Sequence, residues 1–171
     1  MLLAVRPEQP DDASAIRQVL EKAFPTHDEA RLVDVLRERN KMVLSLVALI
    51  DDTIVGHILF TRMTMAPEQP SFEALGLAPL AVLPEYQRKG TGSRLVRDGL
   101  VQCRQLGADA VFVLGGPGYY ARFGFAAAAP YGILNEYNEP EAFMVIELKK
   151  GVLARVNGTA KYLPEFSELD V

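Results

Sequence analysis

The stretch LAPLAVLPEYQRKGTGSRLV, Leu77 to Val96, decides how this chain is read. An apolar, strand-like run stops at Pro84. A short basic segment punctuated by glycine follows, Gln87-Arg88-Lys89-Gly90-Thr91-Gly92, and an amphipathic helical pattern begins directly behind it. Strand, glycine loop and helix in that order aim backbone N–H groups and a helix N-terminus at one place, as a phosphate requires. Gly90 and Gly92 allow backbone conformations closed to other residues and a close approach to a ligand. The first four N–H groups of the new helix lack intrahelical acceptors, and a diphosphate can take them. Arg88, Lys89 and Arg94 add positive charge. A solvated turn before an ordinary helix would explain a lone G-x-G. It does not explain the strand, the Pro84 stop and the helix register together.

Three glycine loops compete for a pyrophosphate ligand. The Walker string G-x-x-x-x-G-K-S/T does not occur. A Rossmann fingerprint needs a third glycine where Leu95 stands, so it fails. What remains is Q-x-x-G-x-G, Gln87 to Gly92, behind a strand ending V-L-P-E-Y. That string resembles the coenzyme A loop of the GNAT N-acetyltransferase superfamily, whose motif reads Q/R-x-x-G-x-G/A.

The chain has 171 residues, enough for one domain with a real hydrophobic core. At 49% hydrophobic and 23% charged it has the make-up of an ordinary soluble globular protein. A net charge of −4 speaks against a broad nucleic-acid-binding surface, so the basic residues near 88–97 suit one small anion. Cys103 is the only cysteine, which rules out an intramolecular disulfide and a zinc site built on cysteines; no metal is expected. Its place in a helical stripe reads as a small core residue. No apolar run reaches the ~18 residues of a membrane span, and the start lacks a signal-peptide pattern. The cytoplasm is the expected compartment, with no membrane or nucleic-acid partner.

Leu2 to Arg6 reads as a strand closed by Pro7. Asp11 and Asp12 are placed to cap a helix that buries Ile16, Val19, Leu20 and Ala23. Asp28 is placed to cap a second, with Leu32, Val33 and Leu36 inward. Leu44 to Ile50 and Thr53 to Met63 form a hairpin around Asp51-Asp52. A loop from Met65 to Ser71 leads to a central strand, Leu75 to Val82. Pro79 there removes a ladder donor and predicts a bulge or splay. The next helix carries Leu95, Val96, Gly99, Leu100 and Cys103 on one face and stops at Gly107. Ala110 to Leu114 is a short buried strand, Tyr119 to Phe123 a short helix, Pro130 to Pro140 a loop, and Phe143 to Leu148 a last strand. The tail from Gly151 leaves an extra strand or an extended cover open. The order β-α-α-β-β-β-α-β-α-β-β predicts an α/β protein with a mixed sheet and helices on both faces.

That order also matches the GNAT order, so the resemblance spans about residues 2–148. F-G-F at Phe123 to Phe125 and the strand E-A-F-M-V-I-E-L look like a subgroup of small bacterial predicted N-acetyltransferases. The resemblance implies a central splayed sheet and one acetyltransferase domain over residues 1–150. Residues 151–171 would be a C-terminal extension packed on it. Acetyl-CoA is the implied cosubstrate. Its diphosphate would be held by the loop Gln87, Arg88, Lys89, Gly90, Thr91, Gly92 and Ser93, with backbone N–H groups of Arg88 to Ser93 making the contacts. Leu80, Ala81 and Val82 would pair through their backbone with the pantetheine arm, as an added strand does. Tyr120, four residues before Gly124, is placed to protonate the departing thiolate, with Tyr119 as the fallback. Glu73 matches a carboxylate that acts as general base through water. His57 offers a second base or a hydrogen-bonded core residue, and Glu29 a cation-binding group or a solvated one. Many relatives carry an Asn where Val113 stands here; its contact would be lost or pass to the backbone of Gly115 or Gly116.

The activity implied is direct transfer of an acetyl group from acetyl-CoA to a primary amine, since no activated nucleophile is evident. The loop carrying Tyr131, Asn135, Glu136, Tyr137 and Glu139 suits a cationic acceptor, a small molecule or a protein amine. A non-catalytic acyl-CoA-binding sensor and a transferase of a bulkier acyl group stay open beside it. The fold also accommodates a homodimer.

Overall fold

A computed structural model describes residues 2–168. In chain order its elements are β1 (Leu3–Pro7), α1 (Ala13–Ala23), α2 (Asp28–Glu38), β2 (Met42–Ile50), β3 (Thr53–Arg62), β4 (Thr64–Ala66), β5 (Ala74–Val82), α3 (Thr91–Gln105), β6 (Ala110–Leu114), α4 (Pro117–Ala121), β7 (Ala126–Ala127), β8 (Ile133–Asn135), β9 (Phe143–Glu147), β10 (Gly158–Lys161) and α5 (Pro164–Glu168). Seven strands form a mixed sheet in the order β1-β2-β3-β5-β6-β9-β7, and β4-β10-β8 form a second. This is the mixed α/β class that the element order predicts. The chain divides into two compact units. Among the described residues, one holds 2–60, Ala78–Gly99 and 164–168; the other holds Thr61–Leu77 and Leu100–Leu163.

In the first unit β1 runs antiparallel to β2, from Leu3 opposite Ile50 to Pro7 opposite Leu46. Asp51 and Asp52 turn the β2–β3 hairpin with φ of 50° and 68°, the left-handed pair a tight two-residue turn needs. Helix α1 buries Ile16, Val19 and Leu20, and α2 buries Ala30, Leu32, Val33 and Leu36. The two helices pack together and are tied by an Arg17–Asp34 ion pair. The predicted caps differ in detail. Pro10–Asp12 form a 3₁₀ turn, and the Asp12 carboxylate accepts from Gln9 N at 2.7 Å and Arg6 Nη1 at 2.6 Å rather than capping α1. Asp28 is the first residue of α2 and accepts from Arg31, one turn on. There its charge favours the positive helix end. Helix α3 lies close on β3: a Cβ on Gly99 would come within 2.6 Å of the Phe60 ring.

His57 is fully buried on β3. Ser45 Oγ donates to Glu8 Oε1 at 2.6 Å, and His57 Nε2 meets the same hydroxyl at 2.8 Å. With that hydroxyl proton spent on Glu8, the imidazole must donate from Nε2, and among the described residues no partner reaches its buried Nδ1. Burial pushes its pKa from 6.5 down to about 4; Glu8 pulls it up and Arg37 pushes it down. The unfolded chain therefore takes up a proton first as pH falls. Stability should be full above pH 6.5 and decline by about 3 kcal/mol as pH drops to about 4. Denaturant midpoints of the wild type and His57→Gln between pH 7 and 4.5 check this, since Glu8 is present in both. The wild type should lose more; parallel declines would show that His57 is not the titrating group.

In the second unit β5 and β6 run parallel, from Ala74 opposite Ala110 to Leu77 opposite Val113. Strand β9 adds antiparallel to β6, and β7 to β9. Phe112 stacks on Phe143 at 5.2 Å and meets Phe72 edge-on at 6.3 Å, the aromatic centre of this core. Two segments read as loops contain strands. Met65 is buried, and β4 pairs with β10 in the tail. Within the 130–140 loop, β8 pairs parallel with the same β10. Strand β10 is the extra strand that the sequence left open, and it organises both three-residue strands. No described helix is long and apolar enough to cross a membrane.

Candidate active site

Strand β5 ends at Val82, and Pro84–Tyr86 make a 3₁₀ turn. Gln87 Nε2 then donates back to the Val82 carbonyl at 3.0 Å, bracketing the loop to the strand that feeds it. Arg88 takes φ of 63° and Gly90 φ of 85°. A left-handed non-glycine residue costs of order 1 kcal/mol, and such strain gathers at ligand-binding turns. Arg94 N donates to Gly90 O at 3.0 Å, closing the first turn of α3. The N–H groups of Thr91 and Gly92 precede that bond and have no intrahelical acceptor. Gln87 to Gly90 are exposed, whereas Thr91 is buried against β3. Ala81 and Val82 bury their side chains and Leu80 half-buries its own. These ten residues are those the sequence nominates for a cofactor, and they form one continuous strand, loop and helix start.

Tyr120 lies on α4 behind the glycine pair Gly115-Gly116. The absence of a Cβ at Gly115 makes room for its ring: a methyl there would sit 2.7 Å from Tyr120 Cε2. Phe125 packs edge-on against it at 5.6 Å and Tyr119 at 5.0 Å. Burial, with a smaller push from Tyr119, raises the phenol to about 12. It is a proton carrier throughout the neutral range. Tyr119 is half-buried under the Arg122 guanidinium at 4.7 Å. Val113 is a core residue, and the Gly115 N–H is spent on Ala142 O at 3.0 Å.

Glu73 sits just before β5. Its backbone is locked to Asp109 in both directions, N–H to Oδ2 at 2.7 Å and C=O from Asp109 N at 2.8 Å. Its exposed carboxylate accepts from Arg62 at 2.8 Å. His57 sits within the core described above, away from solvent. Glu29, on α2, is half-buried, and among the described residues no donor reaches its buried Oε1. Cys103 is buried, which pushes its thiol up to about 12 and removes it as a nucleophile. Tyr162 is the residue that the sequence does not single out. It follows a four-residue strand in the tail, and no local pattern distinguishes it from a surface tyrosine. The fold buries it, with its hydroxyl donating to Leu77 O at 3.3 Å.

The acetyltransferase (GNAT) domain family matches residues 4–128. The chain is 46% identical over 135 residues to the uncharacterized N-acetyltransferase YjhQ of Escherichia coli K12, covering 74% of this chain and 75% of that protein. It is similar to the crystal structure of the GNAT family N-acetyltransferase YhbS from Escherichia coli in complex with CoA. The TM-score there is 0.91 at 34% identity, over 96% of this chain and 92% of that one. A GNAT family acetyltransferase from Brucella melitensis, solved in complex with acetyl-CoA, gives a TM-score of 0.80 at 34% identity, over 96% and 98% of the two chains. With a family match across most of its length and relatives this similar nearly end to end, the chain belongs to the GNAT acetyltransferases and is an acyltransferase.

Proposed function

We infer that this protein transfers the acetyl group of acetyl-CoA directly to a primary amine. The observation that carries the reading is the loop from Gln87 to Ser93. Two left-handed residues deliver it into a helix start whose first N–H groups lack intrahelical acceptors, which suits a diphosphate. Solved relatives in complex with CoA and acetyl-CoA support the same ligand. Gln87 holds the loop, Arg88 and Lys89 add charge at its exposed rim, and the backbone of Arg88, Gly90, Thr91, Gly92 and Ser93 takes the diphosphate. The backbone of Leu80, Ala81 and Val82 takes the pantetheine arm. The cytoplasm is the working compartment.

Bound acetyl-CoA supplies an acetyl thioester. The amine lone pair forms the new C–N bond at its carbonyl carbon, and the C–S electron pair leaves on sulfur. Tyr120 Oη–H gives its proton to that sulfur, and the amine gives its own to water; Glu73, which pairs with Asp109 at the far end of β5 from Leu80, receives it only along a chain of waters. Glu29 suits the acceptor's positive charge, since its buried, unpartnered oxygen calls for a donor. The acidic and aromatic loop of Glu136, Tyr137 and Glu139 offers the same chemistry.

Calorimetric titration with acetyl-CoA tests the ligand; binding near micromolar Kd, about −8 kcal/mol, is expected. An amine screen reading thiol release then tests the reaction. Binding without turnover on any amine would favour a sensor instead. Glu73→Gln should lower kcat by about 10²-fold with the acetyl-CoA Kd unchanged. An unchanged kcat would assign the amine's proton to solvent.

A further inference from the structure

Strand β1 is the outer strand of the seven-stranded sheet, with β2 on its one paired side. Their register runs from Leu3 opposite Ile50 to Pro7 opposite Leu46, and one step on Glu8 N donates to Ser45 O at 2.8 Å. Opposed residues of an antiparallel ladder alternate between pairs that exchange hydrogen bonds and pairs that do not. Glu8 and Ser45 are at an exchanging position, which puts Arg6–Val47 and Ala4–Leu49 in the same class. Leu3, Val5 and Pro7 therefore turn their backbone groups away from β2, toward the open edge. One end of that edge is closed: Pro7 has no N–H, and Arg6 Nη1 donates to its carbonyl at 3.0 Å. Among the described residues nothing reaches the outward N–H and C=O of Leu3 and Val5.

We propose that β1 is a self-pairing edge, through which a second copy of this chain adds β1 against β1 about a two-fold axis at Ala4. The free groups fit their own copy. Antiparallel strands centred on Ala4 set Leu3 of one copy opposite Val5 of the other, and each such pair exchanges hydrogen bonds in both directions. The two Ala4 residues then meet in the non-exchanging pair, where Cα atoms approach to about 4.5 Å. Ala4 is exposed, and its methyl suits that spacing.

The side chains agree with this register. Leu2, Ala4 and Arg6 share one face of the sheet, and with Leu49, Asp51 and Asp52 they line a groove of about 370 Å³. Leu2 is 78% exposed there. Across the axis Leu2 of one copy stands opposite Arg6 of the other and covers its aliphatic stem. Leu2 is also next to Asp51 of its own β2, one step past Leu3 opposite Ile50. Each Arg6, held on its own side by Asp12, is thus turned toward the acidic turn of the other copy. Strands β2 and β3 separate β1 from β5, so the seam leaves Leu80, Ala81 and Val82 uncovered and does not depend on the acetyl-CoA reading. So short a seam falls below the usual area of stable interfaces, and a reversible Kd of about 10–100 μM is expected.

Sedimentation equilibrium on the full chain from about 5 to about 500 μM, a range that brackets this Kd, tests the pairing. The apparent mass should rise from 18.8 kDa toward twice that value. Ala4→Lys sets like charges against each other across the axis and should hold the protein at the monomer mass, with its circular dichroism unchanged. Ala4→Cys tests the register. With oxidised glutathione at the upper concentration it should give a disulfide-linked dimer, because the spacing at the axis suits a disulfide. Leu2→Cys should not, since its two copies lie at least about 13 Å apart along the strands. The native Cys103 is buried and stays out of the reaction. A wild type at the monomer mass throughout overturns the proposal. So does a dimer that Ala4→Lys leaves intact, or Leu2→Cys cross-linking as readily as Ala4→Cys, either of which moves the contact to another face. Should Ala4→Lys fail to fold, the two cysteine variants decide by themselves.

Discussion

Tyr120→Phe is expected to lower kcat by about 10²–10³-fold, within the range general acid catalysis supplies, while the acetyl-CoA Kd stays within about twofold. The side chain is held by shape: its ring fills the space left at Gly115 and packs on Phe125, and phenylalanine keeps both contacts. Only the proton is lost. Without it the leaving thiolate must find a proton from water, and the cost falls on the transition state rather than on binding. The pH dependence follows from the same burial. A phenol raised to about 12 remains protonated from pH 7 to 10, so loss of its proton should not lower kcat in that window. A wild-type kcat that collapses below pH 10 from loss of a donor would point to another group. If chemistry limits turnover and Tyr120→Phe keeps the wild-type kcat, Tyr120 is not the donor.

Gly90→Val is expected to weaken acetyl-CoA binding by about 10–100-fold, because a β-branched residue at positive φ is strained by roughly 1–3 kcal/mol and must move the loop. Gly90 has φ of 85°, and a Cβ there would meet no atom within 4 Å. Inside the free protein the substitution therefore meets no clash. Its penalty comes from backbone conformation and from the ligand that the open space admits. Calorimetry on Gly90→Val and Gly90→Ala separates the two causes. Alanine carries most of the conformational penalty and little of the bulk, so its affinity should fall between the other two. Wild-type affinity in Gly90→Val would mean the diphosphate binds elsewhere.

Asp12 shows why caps are harder to read than helices. The apolar spacing of Ile16, Val19 and Leu20 is local, and any fold that buries one face of α1 must bury those residues. Where the Asp12 carboxylate goes depends on Arg6, and Arg6 is brought into reach by the turn between β1 and α1. Glu73 teaches the same lesson for chemistry. Its place before β5 is legible, but its pairing with Arg62 is set by how the chain turns back between them.

The sequence alone determined the loop, the family and the strand and helix that flank the loop. Those features rest on residues a few positions apart, where glycine freedom, proline stops and helical spacing act without help from the rest of the chain. Only the tertiary structure decided the charge state of His57, the strands β4 and β8, and the burial of Tyr162. Each depends on a partner distant in sequence: Glu8 and Ser45 for His57, β10 for the two short strands, Gly76 and Leu77 for Tyr162. A three-residue strand has too little propensity of its own to be read before its partner is in place, and a tyrosine carries no mark of burial until a glycine elsewhere leaves it room.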